Sequence, residues 1–153
     1  KRISTTLMAG FNFKQVRANL EATKRILPVK LAKLTENHFT QSFALGRLDE
    51  QVWPEVNRRK PGTKEYKYPK LKGLSRRTSP ILVRTGNLRR KTSKSIANAT
   101  WAEVKLINDA PYAKAHNEGT DTIPARPFMI QTDNLTKLQK SEIDKQIMQI
   151  WKV

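Results

Sequence analysis

The chain contains no cysteine. A disulfide framework, a thiolate metal site and a thiol nucleophile are therefore all excluded. Apolar residues are also scarce, at 37% of 153 residues. Their longest uninterrupted runs are a few residues, far below the roughly 18 needed to span a bilayer. A soluble chain with no membrane partner is expected. Lys1 to Leu7 carries two positive charges but leads into no apolar stretch, so no secretory signal is expected. Acidic residues are few as well: 13 Asp and Glu stand against 30 Lys and Arg, a formal charge of +17. Such a balance points toward nucleic acid, anionic surfaces or acidic protein partners. It is uneven, because fifteen of the basic residues but only four acidic ones fall between Arg47 and Lys94.

What is present reads as one α+β domain over residues 1–153, with some of the chain lying outside a compact core. From 13 to 45, Val16, Leu20, Leu27, Leu31, Leu34, Phe39 and Phe43 recur at helical spacing. Asn12 is placed to cap the start, and Pro28 is expected to end one helix or kink it. Residues 57–80 carry Pro61, Gly62, Pro69, Gly73 and Pro80 among many Lys and Arg, the pattern of a long basic arm. Its Tyr66 and Tyr68 either stack on bases or anchor the arm to a neighbouring surface.

The segment 81–130 is expected to hold a small antiparallel sheet. Its strands run over 95–100 and 101–107, with the turn at Asn98 to Thr100, and Asn87 to Ser93 makes a short helix ahead of them. Pro111 and Gly119 bound another short helix. Pro124 and Pro127 force residues 123–130 to be extended. Leu135, Leu138, Ile143, Ile147 and Ile150 mark an amphipathic C-terminal helix over 133–151.

No catalytic constellation emerges. His116 and Glu118 are two apart on a helix and do not face each other. His38 lies on the helical stripe with no nearby His, Cys or paired acid in sequence. No phosphate loop, nucleophile motif or carboxylate cluster is found. No enzyme activity, cofactor or metal is expected.

The series Ile81-Leu82, Thr85-Gly86, Leu88, a hairpin, Tyr112-Ala113, His116, Gly119 and Ile123-Pro124-Ala125-Arg126-Pro127-Phe128 resembles the phage virion morphogenesis (tail completion) family of Mu-like and P2-like phages. It is similar, more loosely, to the wider group of neck and tail-completion proteins of long-tailed phages. The resemblance implies a structural virion protein made in the host cytoplasm and placed at the head-to-tail junction. It implies a homo-oligomeric ring, expected to be a hexamer, against connector, tail terminator or tail tube proteins, without cofactor or chemistry. The interface candidates are Arg58, Arg59, Arg76, Arg77, Tyr66 and Tyr68 on the arm, with Arg126 and Phe128 on the closing segment. Arg126, on a proline-stiffened segment, either meets the next subunit's carboxylate or covers its own fold. The competing expectation is a sequence-independent nucleic-acid-binding protein of architectural or ribosomal type, for which the charge speaks. Non-specific DNA contact is compatible with both.

Overall fold

A computed structural model describes residues 12–67 and 78–152, and the fold is α+β, with long helices and two small antiparallel hairpins. The first element, α1 (Phe13–Leu45), is a single 33-residue helix. The Asn12 side chain accepts from Gln15 N, the expected N-cap. At the other end Gly46 turns the chain out at φ 66, in the left-handed region that glycine enters without steric cost. Pro28 does not end α1, so of the two expectations, an end or a kink, the end is overturned. The proline is buried, and α1 is held along its length by the C-terminal helix α5 (Asp133–Ile150). Packing on both sides of the proline offsets the roughly 3 kcal/mol that an interior proline costs.

Helices α1 and α5 run antiparallel. Lys30 Nζ lies 3.6 Å from Glu142 Oε1, Gln139 Nε2 donates to Thr35 Oγ1 at 3.0 Å, and Asn19 Nδ2 donates to the Ile150 carbonyl at 3.2 Å. Thr132 caps α5 by accepting from Leu135 N.

Between the helices the chain forms two separate hairpins. β1 (Arg47–Leu48) pairs with β2 (Gln51–Val52), and β3 (Ile96–Ala99) pairs with β4 (Val104–Leu106). The second hairpin was expected, but its turn was not placed correctly. Asn98 pairs with Lys105 and Ala99 with Val104, with an irregularity between Ile96 and Asn98, so the reversal falls at Thr100 to Glu103. Two short helices, α3 (Asn87–Thr92) and α4 (Ala113–Glu118), flank this hairpin in sequence. The expected arm is not wholly irregular, since a 3-10 turn (Asn57–Arg59) and one helical turn α2 (Lys64–Lys67) interrupt it.

Phe39 and Phe43, one turn apart on α1, seed two adjoining cores. Phe43 packs with Trp53, Ile81, Leu88, Ala110, Ala113 and Phe128. Phe39 packs with Leu48 and Leu135, and Met129 borders both cores. Ile81 enters the Phe43 core from a turn, with Leu82 and Val83 partly buried against it.

Candidate functional site

The segment after α4 is the element that builds the site. Pro124 and Pro127 keep it out of any sheet, and four hydrogen bonds lay it as a strap across the Phe43 core. Trp53 Nε1 donates to the Pro127 carbonyl at 2.7 Å, Arg126 N donates to the His116 carbonyl at 2.8 Å, and Asn117 Oδ1 accepts from both Phe128 N and Met129 N at 2.9 Å. Phe128 then packs against Phe43 with ring centroids 5.3 Å apart.

Beside the strap opens a cleft of about 770 Å³. Its walls come from the Pro54 to Val56 turn, the 3-10 turn, the Leu82 to Thr85 loop, α3, α4 and the strap itself. Val56, Leu82, Leu88, Ile123 and Pro124 make it apolar, while Arg58, Lys60, Arg84 and Arg126 outnumber Glu55 and Glu65.

Arg126 is 5% exposed, and Nε donates to the Pro54 carbonyl at 2.9 Å. Its other four N–H groups have no partner among the described residues. Glu55 is near enough to favour the charge, but it makes its ion pair with Arg59, at 3.7 Å. Burial lowers the pKa of Arg126, with Glu55 opposing. His116 Nδ1 is buried without a partner, and its ring stands edge-on to Tyr112 at 5.9 Å. Burial, then the nearby Arg126 charge, push the His116 pKa down, which favours the neutral imidazole.

The sequence candidates separate on this framework. Arg126 is set at depth in the cleft, its Nε held by the Pro54 carbonyl of its own chain, rather than standing out from the surface. Phe128 is no surface anchor either; at 1% exposure it belongs to its own core. Arg58 lines the cleft and donates to the Ser79 and Pro80 carbonyls, at 3.2 and 2.9 Å, so it ties the two ends of the arm together. Arg59 is exposed and Tyr66 half-buried on α2. Tyr68, Arg76 and Arg77 lie outside the described residues.

A second concavity, about 730 Å³, lies where α1, the β1–β2 turn and the start of α5 meet. There His38 acquires the acid that its sequence neighbourhood lacks: Nε2 lies 3.3 Å from Asp49 Oδ1, at ion-pair distance but without hydrogen-bond alignment. Asp49 also accepts from Thr132 Oγ1 and, at 2.8 Å, from Asn134 Nδ2. Burial raises its pKa, but these hydrogen bonds and His38 outweigh burial and leave it lowered. Among the described residues no three His, Asp or Glu side chains are grouped to hold a metal ion.

Sequence reasoning missed Asn117 and Glu36. Glu36, 2% exposed on α1, accepts from Ser95 N at 3.0 Å and pairs with Lys33, fixing the base of the second hairpin to the helix. A lone amide or carboxylate on a helix carries no signal of a backbone partner far along the chain.

No family model, curated protein or solved structure matches this chain.

Proposed function

We propose that the chain is a non-enzymatic structural subunit of a tailed-phage particle, forming a homo-oligomeric ring at the junction where the tail is completed and joined to the head. One observation carries this reading. Thr85, Leu88, Tyr112, His116, Ile123, Pro124 and Arg126, spread over some forty residues of sequence, line one cleft, and Ile81, Leu88, Ala113 and Phe128 fill the core beneath it. The spaced pattern that carries the family resemblance is thus one packing unit rather than a set of unrelated short matches.

The surface supports assembly. Phe13, Val52, Trp101, Met148 and Trp151 are all exposed and offer apolar surface to a neighbour. The formal charge of +17 suits acidic neighbours in a connector or tail and steers docking onto them. The same charge is the observation that favours the alternative, a sequence-independent nucleic-acid-binding protein.

Analytical ultracentrifugation with and without duplex DNA separates the two. A closed oligomer, expected to be six copies, forms without DNA on the ring reading. A chain that stays monomeric alone and gathers only on DNA contradicts it.

A further inference from the structure

The Arg126 guanidinium uses one of its five donors on its own chain and turns the rest to the cleft, and His116 Nδ1 is buried beside it with no partner. A carboxylate entering the cleft takes two guanidinium N–H bonds at once. At the rim, the exposed Lys60 and Arg84 side chains have no ion pair or hydrogen bond among the described residues. The walls are apolar and Arg126 lies at depth, so a duplex phosphate backbone cannot reach it, while a side chain on a narrow turn can.

Among the described residues, the β3–β4 turn is exposed and of the complementary kind. In the β3–β4 turn Thr100 N donates to the Glu103 carbonyl at 2.8 Å and Glu103 N returns to the Thr100 carbonyl at 3.2 Å, which holds the tip rigid. That tip leaves Trp101 60% exposed, with the exposed Glu103 carboxylate accepting from Asn98. Among the described residues the other very exposed aromatics, Phe13 and Trp151, adjoin Lys14 and Lys152, charges that the basic rim repels. No residue of the tip lines the cleft of its own chain. Helix α3 stands between them: Leu88 faces the cleft, and Arg90 and Lys91 face a groove against Ile96 and Ile107.

We propose that the cleft is completed by the β3–β4 tip of a second copy, whose Glu103 carboxylate meets the Arg126 guanidinium and whose Trp101 ring covers the apolar wall. Tip and cleft are different patches of one surface, so the contact is head-to-tail and closes into a ring when the rotation permits. The proposal rests on the ring reading and names the contact that builds it.

The test uses two exposed-site variants of the full chain, each with its fold checked by circular dichroism. Trp101→Ala with Glu103→Lys disables the tip, and Arg84→Glu with Thr85→Glu disables the cleft. The tip variant, which removes the Glu103 partner of Arg126, is expected to associate about a hundredfold more weakly than wild type, the scale for breaking a buried charge pair, and the cleft variant, whose added rim carboxylates repel Glu103, is expected to associate more weakly as well. Mixed, the two variants retain one good tip and one good cleft, and light scattering is expected to show pairs of twice the chain mass and nothing larger. A variant that keeps the wild-type mass, or a mixture that forms no pairs, overturns the tip-to-cleft contact while leaving the ring reading in place. A wild-type chain that is monomeric at every concentration overturns both.

Discussion

Asn117 is the clasp of the strap, and replacing it isolates that role. In Asn117→Ala, Phe128 N and Met129 N both lose the acceptor they share at 2.9 Å, and the Met129 carbonyl loses the 3.4 Å contact from Nδ2. An unsatisfied N–H costs about 1–3 kcal/mol when buried. These groups are part-buried, so water recovers some of that and the lower end applies to each, about 2–3 kcal/mol together. Alanine regains about 0.5 kcal/mol as a better helix former within α4. The expected net loss is about 2 kcal/mol, which for a chain of this size lowers the melting temperature by about 4–8 °C. Asn117→Asp keeps both acceptor contacts and gives up only the long one, so it should unfold within about 0.5 kcal/mol of wild type. Urea denaturation of the three proteins measures the difference. Equal losses for alanine and aspartate, or no loss for alanine, would refute the view that one side-chain oxygen holds the strap.

Gly119→Ala is expected to cost more than about 2 kcal/mol in the same assay, because φ is +84 and the added Cβ would come 2.9 Å from the Ala125 backbone nitrogen. The Asp49 carboxyl has a folded pKa below its ordinary 3.8, so its contribution is fully present above that value and drains away as the pH falls through the folded pKa. Asp49→Asn should therefore flatten the acid limb of a stability-against-pH profile, and an unchanged limb would discount the His38–Asp49–Thr132 cluster as its source. Any DNA retained by the chain should be released steeply with rising salt and show little preference among sequences; filter binding against specific and random duplexes across a salt series checks both.

The sequence made the long elements legible and hid the long-range ones. Asn12, the apolar spacing of α1 and Gly119 act within a few residues and do in the fold what their local chemistry suggests, while the apolar stripe of α5 is buried only at Leu135 and Ile150 and leaves Leu138 and Ile147 exposed. Pro28 does not end α1 because the rule for an isolated helix is overridden here by α5, which braces the helix on both sides of the proline. The hairpin turn moved from Asn98 to Thr100–Glu103 because Asn98 pairs with Lys105, a register that depends on the irregularity after Ile96. Hairpin β1–β2 is two residues per strand, too short to carry an alternating pattern. In the candidate site, the proline-stiffened segment was readable and the direction of Arg126 was not. That direction depends on the Pro54 carbonyl, 72 residues away. The pairing of His38 with Asp49 likewise depends on the Gly46 turn that swings β1–β2 back against α1.

Imaging tailed-phage particles assembled with this chain labelled at one terminus tests the proposal that it is a virion protein most directly. The account predicts label confined to the head-to-tail junction, in a closed ring of identical copies, six in number. A single copy, an open filament, or label spread through the packaged DNA would contradict it.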